Sequence, residues 1–136
     1  MTFLIGSEHA AAQLAATIAF ADAGAGASKI RLYSAADGAG DLLAEIVLAK
    51  PCGFIDVFGV LTFYKADATG TMVLASGIPR SGRWISGAGL LVAAGTVTDL
   101  AHDGDFKVAG GGTAAGDNSP ALYAGGLVVL GALTLT

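Results

Sequence analysis

Histidine, cysteine and paired carboxylates move protons, bind metals and attack carbonyls, and this chain of 136 residues holds few of them. It has two histidines (His9 and His102), one cysteine (Cys52) and 11 acidic residues. An active site needs several such groups converging, so that neighbours tune one another's pKa values. Two separated histidines with no cysteine pair do not make a zinc site. Cys52 follows Pro51 in apolar sequence with no histidine near it, so a buried, inert thiol is expected. Asp99, Asp103 and Asp105 surround Gly104 but lack the spacing and closing glutamate of a calcium loop, which leaves them as turn formers. Gly110, Gly111 and Gly112 are followed by Thr113 and not by the Lys-Ser/Thr of a phosphate cradle, so a flexible loop is expected. The run 116–119 (GDNS) has no Gly-x-Ser-x-Gly elbow around its serine, and the two histidines offer few ways to complete a triad. The expectation is a chain with no catalytic residues, no cofactor and no metal.

Composition points the same way. Alanine (28) and glycine (21) dominate, 54% of residues are hydrophobic, and mean hydropathy is +0.68. So much apolar surface on a small chain suggests burial against another subunit. The net charge of −4 comes without a basic stripe, so no nucleic-acid partner is expected. Arg80 and Arg83 are the one close pair of arginines. They are read either as polar anchors for an acidic partner or as an exposed loop pair with no partner. The small apolar run 10–27 has no Lys or Arg before Lys29 and is broken by Gln13 and Asp22. That excludes a secretion signal or membrane span, and a soluble chain with no membrane association is expected.

The elements that would position these residues are mostly strands. Residues 1–6 (MTFLIG) form an apolar arm carrying Phe3, Leu4 and Ile5, which either folds back on its own domain or lies on a neighbour. A helix is expected over 7–23, with Ser7 as N-cap, Glu8 in its first turn and Gly24 as the C′ glycine. Its inward stripe is Ala11, Leu14, Ala15 and Ile18. From Lys29 the period changes to two, placing Ile30 and Leu32 inward and Lys29, Arg31 and Tyr33 outward. After an Asp37-Gly38 turn a strand runs over 42–49 and is ended by Pro51. Further strands are expected near 59–65, 71–75, 84–85, 90–94, 96–100 and 106–108. A long loop follows over 110–120, then a final strand or strand pair over 122–136. About eight short strands punctuated by Gly and Asp predict a mainly β chain. The expected form is a single domain, 1–136, an antiparallel β-sandwich or jelly roll with one short N-terminal helix. The uncharged segment 127–135 would be an aggregation hazard at an open edge, so it is expected to be central in the sheet or docked on another chain.

The order of segments is also specific: an alanine-rich helix, KIRLYSA, LLAEIVLAKP, GVLTF, TMVLASGIPRSG, GLLVAAGTVTD and LYAGGLVVLGALTLT. This pattern, spanning most of the chain, resembles the small capsid cement (decoration) proteins of tailed bacteriophages. The resemblance implies a jelly-roll-like fold, homodimers, and a virion protein on the outer surface of an icosahedral head, made in the host cytoplasm. It also implies a role clamping neighbouring subunits of the major capsid protein, with no active site. The residues expected to dock on the capsid are Phe3, Leu4 and Ile5, with Arg80 and Arg83 as anchors. Two other roles stay open: a tail, neck or baseplate β module, and a jelly-roll carbohydrate-binding module using Tyr33, Tyr64, Trp84 and Tyr123 as stacking residues.

Overall fold

A computed structural model of the chain describes residues 6–55, 61–65, 70–131 and 134–135. It is mainly β, with one α-helix, α1 (Ser7–Ala21), and strands β1 (Lys29–Tyr33), β2 (Leu42–Ile55), β3 (Leu61–Lys65), β4 (Thr71–Met72), β5 (Ser81–Ile85), β6 (Leu91–Thr98), β7 (Phe106–Ala109), β8 (Leu127–Leu130) and β9 (Thr134–Leu135). Among the described residues no helix is long and apolar enough to cross a membrane.

The helix begins one residue earlier than its sequence suggests. Gly6 is the N-cap, in extended conformation, and Ser7 is already helical. The inward face is Leu14, Ile18 and Ala21, while Ala15 is exposed. Spacings of four and then three residues keep these three on one side of the helix, and Ala15 falls off that line. The helix ends with Asp22 as C-cap, so the left-handed residue Gly24 (φ +99°) lies one position beyond C′. A Cβ on Gly24 would sit 2.7 Å from the backbone of Gly87 and Ala88, which fixes glycine there on steric grounds as well.

β1 follows its alternation closely, with Ile30 and Leu32 fully buried between half-buried neighbours. β2 departs from expectation because it continues past Pro51 to Ile55. Its pairing with β3 shifts register between Leu48 and Gly53, so Pro51 lies where the ladder is interrupted and its missing N–H is not needed. The neighbouring Cys52 N–H donates to the Asp22 carboxylate (3.1 Å), and Lys50 Nζ donates to the Gly24 carbonyl (2.8 Å). The end of the helix thus supplies partners that a strand would otherwise provide.

All nine strands lie in one sheet, in the order β4-β8-β7-β6-β5-β1-β2-β3-β9. Strands β8 and β9 stand near opposite ends of that order, yet three residues join them. Such a link spans no more than about 14 Å, so the sheet must curl until its ends approach. The chain after β4 closes the curl: Leu74 N–H donates to the Leu43 carbonyl of β2 at 2.7 Å. The region 122–136 is therefore not one long strand or a hairpin. Leu122 bridges to Gly77, a turn covers 123–126, β8 pairs with β4 and β7, and β9 pairs with β3. β8 is interior to the sheet, with Val128 and Leu130 in the core.

One pair departs from an all-antiparallel arrangement: β6 and β7 are parallel, through Val97–Phe106 and Thr98–Lys107. A connection this short must fold tightly on itself, and two carboxylates organise it. Asp99 accepts the Ala101 N–H, and Asp105 accepts the Thr96 N–H (2.9 Å) and hydroxyl. The residues expected as two strands, 90–94 and 96–100, are the single strand β6. The core inside the curl contains Ile30, Leu32, Leu43, Leu48, Trp84, Val97, Phe106 and Val108. Trp84 and Phe63 pack edge to face with ring centroids 4.7 Å apart, and Phe106 lies directly over Gly82, where a Cβ would come within 2.7 Å of its ring.

Candidate functional site

Among the described residues, several charged side chains of the sheet and loops form ion pairs within the chain. On the outer side of β1 and β2, Glu45 receives Arg31 Nε at 2.9 Å and Lys29 Nζ at 3.3 Å. Partial burial opposes the charge on Glu45, but these two cations outweigh it and hold the carboxyl below its ordinary value. Asp99 Oδ1 lies 2.6 Å from His102 Nδ1, and Asp99 Oδ2 accepts the Thr113 hydroxyl at 2.7 Å. The His102 contact, with that from Thr113, lowers the Asp99 pKa. Asp103 is fully exposed and meets only Lys107, at 3.7 Å. Asp99, Asp103 and Asp105 thus serve different partners, and no group of three His, Cys, Asp or Glu side chains suited to a metal occurs among the described residues.

The two arginines singled out by the sequence are not partnerless. Arg80 holds Asp117 in a two-pronged ion pair, Nη1 to Oδ1 at 2.7 Å and Nη2 to Oδ2 at 3.0 Å. Asp117 Oδ1 also accepts the amides of Asn118 and Ser119. The Arg80 guanidinium, helped by those amides, pulls the Asp117 carboxyl down to about 2. Arg83 Nη2 donates to the Asp37 carbonyl at 2.9 Å, in the turn between β1 and β2. The proposed arm residues Phe3, Leu4 and Ile5 lie outside the described residues.

An open depression of about 750 Å³ lies beside Arg80, lined by His102, Gly116, Asp117 and Asn118 among others. Arg80 and Asp117 are paired with each other beside it, and His102 is held to Asp99 through Nδ1. Ser119 is buried, and its hydroxyl donates to the Pro79 carbonyl at 2.6 Å. Of the glycine run, Gly111 N–H donates to Ala121 O and Ala121 N–H donates to Gly112 O, so the loop 110–120 returns on itself as a paired turn. Arg80 and Asp117 therefore act as a latch holding this loop to the start of β5.

That latch makes a direct prediction. The depressed Asp117 pKa means that its contribution is complete above the ordinary carboxylate range and is lost as pH falls through about 2. In Arg80→Ala the Asp117 pKa is expected to rise from about 2 toward the ordinary value near 4. Carboxyl-carbon NMR titration reads this directly, and the Asn118 and Ser119 amide shifts should follow the same curve. An unchanged Asp117 midpoint would remove Arg80 as its partner.

The aromatic residues do not gather into one platform. Trp84 is in the core, because β5 directs it inward against Phe63, so it cannot stack on a surface ligand. Tyr33 is half-buried in β1, and Tyr123 is exposed in the 123–126 turn. Tyr64 is exposed and stacks on exposed Phe54, with ring centroids 5.2 Å apart.

Two exposed apolar surfaces were legible in the sequence only in part, through Tyr64, Tyr123 and the uncharged segment 127–135. One is the Phe54–Tyr64 pair on β2 and β3. The other lies on β4, β8 and the turn before β8, where Met72, Leu74, Tyr123 and Leu127 all face solvent. Most of the length of β2 separates them, since Leu74 contacts the Leu43 end of that strand. The run 71–74 (TMVL) and the run 127–130 (LVVL) are apolar on both faces, so alternation gave no sign of which side would be outward. No protein-family model, curated protein or solved structure matches the chain.

Proposed function

We propose that the chain is a non-enzymatic virion protein that binds the outer surface of an icosahedral phage head and cements neighbouring major capsid protein subunits. In this reading the curled sheet is a jelly-roll-like body and its apolar surfaces are contact surfaces. The observation that carries the proposal is the presence of two separated apolar surfaces facing solvent, Phe54 with Tyr64 and Met72 with Leu74, Tyr123 and Leu127. A clamp must touch more than one neighbour, and close contact requires surfaces that lose little on desolvation. Each contact need only be modest, because the shell repeats it at every equivalent position.

The experiment is sedimentation of the purified chain with mature heads that lack it. Saturable co-sedimentation supports the reading, and its absence at micromolar concentration overturns it. Removing residues 1–6, and with them Phe3, Leu4 and Ile5, should weaken head binding without altering the far-UV spectrum. Unchanged binding would move the contact away from the arm. Label seen by electron microscopy on the tail or baseplate would replace the head assignment with a tail module. The exposed Phe54–Tyr64 stack favours one other reading, a carbohydrate-binding module, because paired rings present a flat apolar face to a sugar. A glycan array separates that reading from the first.

A further inference from the structure

Register partners on neighbouring strands share a face, so the outward residues of β2, β1, β5 and β6 lie in rows. One row runs Glu45, Arg31, Arg83 and Ala94. Arg31 and Arg83 are direct partners in it, with Cβ atoms about 5 Å apart, and like charges so placed repel. Glu45 is the one carboxylate of the row, and it already serves both Arg31 and Lys29. Arg83 reaches the Asp37 carbonyl, and no carboxylate lies within ion-pair distance of it among the described residues. Its Nε is buried without an acceptor among those residues. Such a guanidinium has lost water without gaining a counter-charge, which an incoming anion would supply.

The geometry selects a carboxylate carried on a peptide. The next row along the strands is Val47, Lys29, Ile85 and Leu91, with Val47 and Leu91 exposed. In an acidic chain these two rows gather three of the seven Lys and Arg residues and one of the 11 acidic residues. The rows are about 7 Å apart, which is also the spacing of alternate side chains in an extended peptide. A segment lying along β1 and β5 therefore sets an acidic side chain over Arg31 and Arg83 and an apolar one, two residues on, against Leu91. A planar carboxylate matches the fixed donors of two guanidinium groups. A nucleic-acid strand needs cations repeated along its phosphates, and the second row offers one lysine among apolar side chains. We infer that the outer face of β1 and β5 is a docking site for an acidic peptide segment, whose carboxylate Arg31 and Arg83 grip. Arg80 has no part in it, because Asp117 holds that side chain. The inference goes beyond the cement reading and its test needs no capsid, so its failure and the failure of head binding are separate results.

The test is titration of the full chain, at low ionic strength, with a capped peptide of Glu-Gly-Leu repeats, followed by backbone amide NMR. Saturable shifts centred on 29–33 and 81–85 are expected. The same peptide with Gln in place of every Glu should bind at least about tenfold more weakly, the worth of a hydrogen bond to a charged group. That comparison needs no protein variant. Affinity for the Glu peptide should also fall as salt approaches about 0.15 M. Arg31→Gln and Arg83→Gln should each weaken binding by about tenfold or more with an unchanged far-UV spectrum. Lys107→Gln, on β7, should bind as the wild type does. The inference is overturned by an absence of saturable shifts, by equal binding of the Gln peptide, by wild-type affinity in either arginine variant, or by an equal loss in Lys107→Gln. Tighter binding of single-stranded oligothymidine at the same amides also overturns it, since the face would then be a phosphate site.

Discussion

Replacing Trp84 with alanine is expected to remove about 3–5 kcal/mol of stability. Trp84 is the chain's one tryptophan, 1% exposed, at the centre of the curl. Its flanking partners are Ile30 on β1 and Ala93 on β6, and it packs edge to face with Phe63 on β3. Truncation would empty a space that Ala93 is too small to fill, and the strands on both sides are held in register by their ladders. A domain of this size has only about 5–15 kcal/mol in total, so the variant would be substantially unfolded under mild denaturant. Trp84→Phe gives the contrasting expectation. The indole Nε1 is buried with no hydrogen-bond partner among the described residues, so phenylalanine removes an unsatisfied donor as well as some volume. It should lose less than half as much. Denaturation followed by far-UV circular dichroism measures both, and a Trp84→Ala loss below about 1 kcal/mol would show that the ring is not a core anchor.

The parts of this fold that could be read from sequence are those governed by local pattern. The expected helix 7–23 differs from α1 (Ser7–Ala21) by two residues at its end and by its N-cap, which is Gly6 and not Ser7, and Lys29 to Tyr33 alternates as written because one face is core and the other is solvent. Non-local partners escaped the reading. Pro51 signals the end of a strand only if every neighbouring N–H must enter a ladder. Here Asp22, thirty positions earlier, takes the Cys52 N–H, and β2 continues. The parallel pairing of β6 and β7 depends on Asp99 and Asp105 folding the connection, and their turn-forming chemistry was visible while the direction of the returning strand was not. The split of β8 from β9 follows from closure of the whole sheet, which no stretch of sequence encodes by itself.

The candidate surfaces divide in the same way. Arg80 and Arg83 stood out because isolated charges are easy to notice in an apolar chain, yet Arg80 is held by Asp117 and Arg83 by the Asp37 carbonyl. Neither partner is close in sequence. Met72 and Leu74 did not stand out, and Leu127 did so only within the uncharged segment 127–135, because an apolar residue in an apolar run announces neither burial nor exposure. Only the register Thr71–Val128 and Met72–Leu127 distinguishes the inward valines from their outward neighbours.

Cys52 gives the second large effect, and it tests how the helix closes on the sheet. Burial, reinforced by the nearby Asp22 carboxylate, pushes its thiol up to about 11. At pH 8 that leaves roughly a hundredth of the thiolate that an ordinary thiol near 9 would have. Reaction of the native chain with an aromatic disulfide reagent should therefore be at least about a hundredfold slower than in denaturant, and slower still because Cys52 is fully buried. The sign for stability follows. A thiol whose pKa rises on folding contributes fully below its ordinary value, and that contribution is lost as pH rises through about 11. The denaturation midpoint should accordingly fall between pH 9 and 11, and Cys52→Ala should flatten this part of the profile. Asp22→Asn retains an oxygen to accept the Cys52 N–H but removes the charge, so it should speed native labelling without unfolding the helix. A native labelling rate within tenfold of the denatured rate would mean that the junction of α1 and β2 is open, with Asp22 no longer seated on the Cys52 amide.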